Sequence, residues 1–168
     1  MTKIRFVPAS ETDFEGYYDI KCGYGDIYWM GFAGKPDKEA LKNCFMSRLG
    51  GLENTDGGNK RIYIVKPADG GDDVLGYIQF TFDENELEMG ISISEKAQGQ
   101  GVGKAAVKAA VELLSDVKQN VFVRIRDDNI RSQKCFLDNG FVRTEKYEII
   151  DYPRSGLIKF RRYDLPKS

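Results

Sequence analysis

Apolar and polar residues alternate along a short segment in the middle of the chain, which predicts a β-strand that ends near Ser94. The apolar positions of this strand are Leu87, Met89, Ile91 and Ile93. Glycine then occupies every second position, at Gly99, Gly101 and Gly103. Beyond the glycines, helical spacing predicts an apolar helix face formed by Val102, Ala106, Ala109, Leu113 and Val117. The sequence therefore predicts a strand, a glycine-rich loop and a helix in direct succession.

The same periodicities predict further elements on both sides of this unit. Alternating segments predict strands over residues 3–7, 61–65, 74–82, 121–125, 142–150 and 157–165. Helices are predicted from a capping sequence at Ser10 to Asp19 or Ile20, from residues 36–37 to 49, and over 128–139. Residues 21–35 are rich in aromatics and glycines and follow neither period, so a loop or a short helical turn is predicted there.

The order of these elements predicts how the strands pair. Strands 61–65, 74–82 and 87–94 follow one another through short turns, which favours an antiparallel meander, and strands 142–150 and 157–165 favour a closing hairpin. A helix separates strand 87–94 from strand 121–125, so these two are expected to run parallel. The length of 168 residues suits a single α+β domain over residues 1–168.

Composition and charge limit the possible functions. The chain has 25 basic and 26 acidic residues, so no overall basic field favours nucleic acid or an anionic membrane. A long apolar run and the apolar stretch of a secretion signal are both lacking, which predicts a cytoplasmic protein without a membrane partner. Cys22, Cys44 and Cys135 are widely spaced and are expected to be reduced thiols.

The absence of histidine restricts the chemistry further. Catalytic groups of the Ser/His/Asp or Cys/His type and a histidine-based zinc site are excluded, and no metal is predicted. A general base must be a carboxylate, a lysine, a tyrosine or a water molecule that one of these activates.

The glycine-rich loop at a helix N-terminus predicts a phosphate site, because unpaired N–H groups and the helix dipole both attract anions. Two known phosphate loops do not fit: the dinucleotide fingerprint requires glycine at Lys104, and the P-loop requires glycine at Gln98 and a hydroxyl at Ala105. The remaining alternatives are a coenzyme diphosphate site of another type and a glycine-rich turn without a ligand.

The pattern Q/R-x-x-G-x-G/A does fit, from Gln98 to Gly103, directly between the strand and the helix. This segment resembles the acyl-CoA-binding segment of the GNAT superfamily of N-acetyltransferases. The stretch from Val121 to Phe141 resembles the next strand and helix of that superfamily, with Asn129 at the start of the helix and Gly140 at its end.

The resemblance implies a fold and a coenzyme. The implied fold is a mixed, mostly antiparallel sheet, flanked by about four helices, in which the central parallel pair of strands splays to admit acetyl-CoA. The implied coenzyme contacts are the following residues: Ile91, Ser92, Ile93, Gln98, Gly99, Gln100, Gly101, Val102, Gly103, Lys104, Asn129 and Phe136. Phe136 stands where the family frequently has a tyrosine that protonates the leaving thiolate. Ser132 is a possible substitute for that tyrosine.

The implied reaction is direct attack of a primary amine on the thioester. Glu88, on the central strand, is the candidate base or amine anchor, and an exposed carboxylate without a role is the alternative. Tyr28, Trp29 and Phe32 are candidates for the wall of an acceptor pocket, or else pack the first helices on the sheet. The turn at Tyr152–Pro153 is also expected to shape that pocket. The expected partners are acetyl-CoA and an amine, in a monomer or homodimer; an acyl-CoA-binding domain without turnover is the alternative function.

Overall fold

In a computed structural model, which describes residues 2–30 and 34–167, seven strands form one mixed sheet with helices on both faces. The strands are β1 (Ile4–Pro8), β2 (Lys60–Pro67), β3 (Gly76–Phe82), β4 (Glu86–Ile93), β5 (Asn120–Arg126), β6 (Val142–Tyr152) and β7 (Gly156–Leu165). The α-helices of the described residues are α1 (Phe14–Lys21), α2 (Tyr24–Met30), α3 (Lys38–Met46), α4 (Val102–Leu113) and α5 (Ile130–Asp138). Among these helices, none has the length and apolar character that a membrane crossing requires.

The strand order is β1-β2-β3-β4-β5-β7-β6, and β4 with β5 is the parallel pair. The remaining neighbours pair antiparallel. The predicted α+β mixed sheet, the meander of β2, β3 and β4, and the closing hairpin are therefore confirmed.

Two hydrophobic clusters hold helices to opposite faces of the sheet. Alternation along β2 shows the division, because Tyr63 and Val65 belong to one cluster while Ile62 and Ile64 belong to the other. The first cluster contains the buried residues of α4 and α5, and the second contains those of α1 and α3. We call the face under α4 and α5 the α4 face, and the other face, under α1 and α3, the α1 face.

The structure differs from the predicted elements at three helices. Residues 24–30 form a helix of two turns rather than a loop or a short turn, and it is held by Glu95 and Arg126, which lie far along the chain. Helix α3 ends at Met46 instead of residue 49. Helix α4 ends at Leu113 instead of residue 117, and its buried residues include Val107 and Ala110. The prediction that Leu113 lies on the buried face is wrong: this side chain is 42% exposed, and Leu114 is buried in its place.

The loop before β2 is organised by a buried arginine. The Arg61 side chain is 1% exposed, and its guanidinium donates to the carbonyl oxygens of three loop residues and of the first residue of β2, at distances of 2.5 to 2.9 Å. These acceptors are the carbonyls of Asn54, Asp56, Gly58 and Lys60. Because one side chain satisfies four backbone groups, the conformation of the loop depends on it.

We expect Arg61→Met to lower the free energy of unfolding by about 2–3 kcal/mol, since it removes the donor to several carbonyl groups. Urea denaturation followed by circular dichroism measures the change. Arg143→Met is the control, because Arg143 is exposed on β6 and its replacement should change stability by less than about 0.5 kcal/mol. Equal effects of the two substitutions would contradict this role of Arg61.

Candidate active site

The central parallel strands separate before they end. Their pairing runs from Glu86 opposite Asn120 to Met89 opposite Val123 and stops there, although β4 continues to Ile93 and β5 to Arg126. Beyond that point β4 stays paired with β3, and β5 stays paired with β7. The two strands therefore leave a gap between them at their carboxyl ends, as the predicted splaying requires.

Backbone groups of β4 face this gap without a strand partner. The Ser94 N–H donates to the Leu75 carbonyl at 2.8 Å, and the Glu86 carbonyl accepts from the Asp83 N–H at 2.9 Å, so the even-numbered residues of β4 face β3. Because peptide direction alternates along a strand, the N–H and C=O groups of Ile91 and Ile93 face the gap. Ser92 differs, because its backbone faces β3 and leaves only its side chain for a ligand.

A chain of hydrogen bonds crosses the mouth of the gap. Gln98 donates from Nε2 to the Ile93 carbonyl at 3.2 Å and accepts from Arg131 Nη1 at 3.0 Å. Gln98 therefore links the end of β4 to the first turn of α5.

The glycine-rich loop leads into α4 through two left-handed residues. Gly99 has φ of +75° and Gly101, the N-cap of α4, has φ of +79°. In the described residues, the first backbone bond of this helix start is from the Ala105 N–H to the Gly101 carbonyl, at 3.1 Å. Within the described residues, the amides of residues 99–104 therefore have no backbone acceptor, which is the arrangement that binds an anion.

Residues 99–101 of this loop are exposed, and the Thr2 hydroxyl donates to the Gln100 carbonyl. Lys104 is 63% exposed and lies 3.6 Å from Asp138 of α5. Gly103 has an ordinary helical conformation, and a Cβ there would lie 3.6 Å from Ile93 Cγ1 and 3.9 Å from Cys135 Sγ. Since these are normal contacts, the protein itself does not require glycine at position 103.

Helix α5 places three predicted residues near the end of β5. Asn129 is the N-cap, and its Oδ1 accepts from the Ser132 N–H at 3.1 Å. In the described residues its side-chain nitrogen donates no hydrogen bond, so it is available to a ligand. Phe136 is fully buried and packs edge-on against Phe141, with ring centroids 5.0 Å apart. A coenzyme contact at Phe136 stays a prediction.

Glu88 lies on the α1 face, where it forms an ion pair. Its two carboxylate oxygens accept from Arg124 Nε at 2.5 Å and from Arg124 Nη2 at 3.0 Å. Arg124 Nη1 also donates to Glu148 of β6. Glu88 is therefore held next to the start of the gap, since its strand neighbour Met89 is the last paired residue of β4.

Helix α2 carries two of the predicted acceptor-wall residues, Tyr28 and Trp29. The rings of Tyr28 and Trp29 meet at 83° with centroids 4.8 Å apart, and the Arg126 guanidinium lies 5.0 Å from both. Phe32, the third predicted wall residue, lies outside the described residues.

Sequence reasoning did not find Arg126, which joins α2 to the end of β5. Its side chain is buried, donates to the Tyr28 carbonyl at 3.1 Å, and donates to both carboxylate oxygens of Asp128 at 3.0 Å. The order of residues gives no signal for this contact, because 98 positions separate Arg126 from Tyr28.

A buried polar cluster, also not predicted, lies under α2. Asp26 is 6% exposed, accepts from the Tyr77 hydroxyl at 3.3 Å and lies 3.7 Å from Lys21 Nζ. Burial raises the pKa of Tyr77 well above its ordinary value and lowers the pKa of Lys21. Tyr77 is the cross-strand neighbour of Ser92, so the cluster supports α2 beside the gap.

With this geometry established, the comparisons with known proteins assign the family. The family model described as an acetyltransferase (GNAT) domain matches residues 3–142. The chain belongs to the GNAT acetyltransferase family, and it is an acyltransferase. No curated protein sequence matches the chain.

Solved structures of low sequence identity share the fold. Spermidine N-acetyltransferase from Vibrio cholerae in complex with CoA and spermine has a TM-score of 0.76 and 12% identity, over 96% of this chain and 95% of that one. A GNAT-family acetyltransferase from Bacillus anthracis has a TM-score of 0.77 and 17% identity, over 96% and 93%. The aminoglycoside acetyltransferase AAC(6')-Ib in complex with coenzyme A has a TM-score of 0.68 and 17% identity, over 95% and 94%.

The free space at Gly103 leads to a prediction. We expect Gly103→Ala to stabilise the fold by up to about 1 kcal/mol, because alanine favours a helix and its Cβ meets no close neighbour. We expect Gly103→Glu to weaken acetyl-CoA binding more than about tenfold, through bulk and charge at the diphosphate. Thermal denaturation and isothermal titration calorimetry measure the two effects.

Ser115→Glu is the matched control, because it makes the same change of charge at the exposed far end of the α4 segment. Its acetyl-CoA affinity should equal that of the wild type. Unchanged affinity in Gly103→Glu would remove the loop from the coenzyme site.

Proposed function

We propose that the chain is an N-acetyltransferase that transfers the acetyl group of acetyl-CoA to a primary amine by direct attack in a ternary complex. The acceptor class comprises small-molecule amines, amino sugars, amino acids and peptide N-termini. The observation that carries the proposal is the gap between β4 and β5, together with the unpaired amides of residues 99–104 beside it.

The residues around the gap suit two parts of acetyl-CoA, the pantetheine arm and the diphosphate. The gap-facing groups of Ile91 and Ile93 offer an open strand edge to the amides of the pantetheine arm, and the Asn129 side-chain nitrogen offers one more donor. The amides of residues 99–104 offer donors to the diphosphate. When bound, acetyl-CoA supplies the thioester carbonyl that the amine attacks. The Ile93 N–H is the candidate to polarise that carbonyl.

The relatives support both substrates of this reaction. Two of the solved neighbours are complexes with CoA, and one of these also contains spermine. Their names describe acetylation of spermidine and of aminoglycosides, which supports an amine as acceptor.

The burial of the Cys135 thiol favours direct attack over an acyl-enzyme at this residue. Cys135 is the thiol next to the loop, and burial raises its pKa to about 11. A thiol that stays protonated is a poor nucleophile at neutral pH. The CoA thiol, with an ordinary pKa near 8.5, can leave as a thiolate without a tyrosine at position 136. Ser132 remains a candidate proton donor to it.

Glu88 is the proposed base or amine anchor. An ionised carboxylate has about four lone-pair sites, so the two bonds from Arg124 leave acceptor capacity for an ammonium or a water molecule. The ion pair also holds the carboxylate in one orientation, as a positioned base requires. Tyr28, Trp29 and Phe32 remain the proposed acceptor wall. We also propose a cytoplasmic location and a monomer or homodimer, without a metal.

The proposed activity is tested by thiol release from acetyl-CoA in the presence of an amine panel. We expect saturable release that depends on the amine, with formation of the N-acetyl product confirmed by mass spectrometry. Calorimetry with acetyl-CoA alone reports binding separately. Coenzyme binding without thiol release for any acceptor would favour a domain that binds acyl-CoA without turnover.

The role of Glu88 is tested by Glu88→Gln, which should lower kcat/KM at neutral pH by about 10²-fold or more, within the range of positioned bases. The loss should shrink at high pH, where the free amine needs no base. Acetyl-CoA affinity should be little changed.

Glu148→Gln is the control, because it also removes one carboxylate from Arg124 but lies on β6. A similar loss of activity in both variants, independent of pH, would show that Glu88 only holds Arg124.

A further inference from the structure

Helix α2 spans the two strand ends that border the gap. The Gly25 N–H donates to Glu95 Oε1 at 3.2 Å, immediately beyond β4, and the Tyr28 carbonyl accepts from Arg126 at the end of β5. A molecule bound against α2 therefore lies beside the carboxyl ends of both strands. This is the place from which an acceptor can reach a thioester in the gap.

A cavity of about 370 Å³ lies between α2 and the β6–β7 turn. Its described lining residues are Tyr24, Ile27, Tyr28, Gly34, Lys35, Arg154 and Ser155. The rings of Tyr24 and Tyr28 are stacked, with centroids 5.9 Å apart and planes at 16°, and they are 76% and 41% exposed. The volume is at the lower end of the range for small-molecule pockets, and the stacked rings suit a flat or apolar group.

The charges of this cavity are of one sign. The charged side chains among its described lining residues are Lys35 and Arg154, and neither forms an ion pair within the described residues. The nearby Arg126 differs, because Asp128 neutralises it. In the part of the chain that the structure describes, two cations without carboxylate partners therefore lie at a cavity whose lining contains no acidic residue.

We propose that the acceptor is an amine that also carries an anionic group, which Lys35 and Arg154 bind. The inference rests on the proposed function. Arginine and lysine bind carboxylates and phosphates through charge-assisted hydrogen bonds, while a second ammonium group would meet like charges. The stacked tyrosines hold the body of the molecule. The acceptor class is therefore an amino acid or a similar amine with a carboxylate or a phosphate, rather than a polyamine.

Matched acceptors test this inference by steady-state kinetics at saturating acetyl-CoA. Tyrosine and tyramine differ by one carboxylate, phosphoethanolamine and ethanolamine differ by one phosphate, and spermidine represents the polyamines. We expect kcat/KM for at least one member with an anionic group to exceed that of its counterpart without that group by about tenfold or more, and to exceed that of spermidine. The pair that shows the preference identifies the carboxylate or the phosphate as the recognised group.

Charge reversal connects the preference to the two residues. Lys35→Glu and Arg154→Glu should each lower kcat/KM for the preferred anionic acceptor by about tenfold or more, chiefly through KM, and should shift the preference toward tyramine or spermidine. Acetyl-CoA affinity should not change. Lys108→Glu is the control, because Lys108 is exposed on α4, on the opposite face of the sheet from α2, and the substitution makes the same change of charge.

The outcomes separate this inference from the proposed function. Turnover of tyramine, ethanolamine or spermidine without a preference for an anionic member overturns the inference alone. A preference that survives both charge reversals also overturns it. No thiol release with any acceptor overturns the proposed function and this inference with it.

Discussion

The feature on which the rest of the site depends is the early end of pairing between β4 and β5. Backbone groups in the centre of a sheet normally satisfy one another, and unpaired ones are costly unless water or a ligand takes their place. Here each strand keeps its outer neighbour, so the sheet remains intact while one internal edge opens. The result is a binding site formed by main-chain groups. This matters in a protein that has no histidine to act as a catalytic base.

The surrounding elements are placed by contacts with the ends of these two strands. Gln98 and Arg131 connect the end of β4 to α5, and Arg126 connects the end of β5 to α2. The glycine-rich loop follows β4, and the asparagine cap of α5 follows β5. The α4 face and the α1 face thus meet at the gap. A shift of either strand would move both proposed substrate sites together.

The sequence predicts the strand–loop–helix unit and the parallel pair well, because strong local periodicity and the glycine spacing determine them. It predicts α2 poorly, because Gly23 and Gly25 disfavour a helix and its contacts come from Glu95 and Arg126, far along the chain. The sequence also predicts the wrong residue on the buried side of α4 near the C-terminal end of the helix. Leu113 and Leu114 are both apolar, and only the packing of α4 on the sheet decides which one is buried.

The polar contacts of the site lie beyond sequence reasoning for a similar reason. The ion pairs of Arg124 with Glu88 and Glu148 join three strands, so they depend on registers that periodicity does not specify. The cluster of Asp26, Tyr77 and Lys21 joins α1, α2 and β3 in the same way. Single carboxylates and tyrosines at these positions resemble surface residues until the fold buries them.

The bridge made by Gln98 has a consequence for the energetics of coenzyme binding. The Gln98 side chain already donates to the Ile93 carbonyl. If an amide of the pantetheine arm donates to this carbonyl instead, one hydrogen bond replaces another. Such an exchange contributes little net free energy, and it releases the glutamine and Arg131 to find new partners. The proposed site would then draw its affinity mainly from the diphosphate end, and the arm would serve to align the thioester.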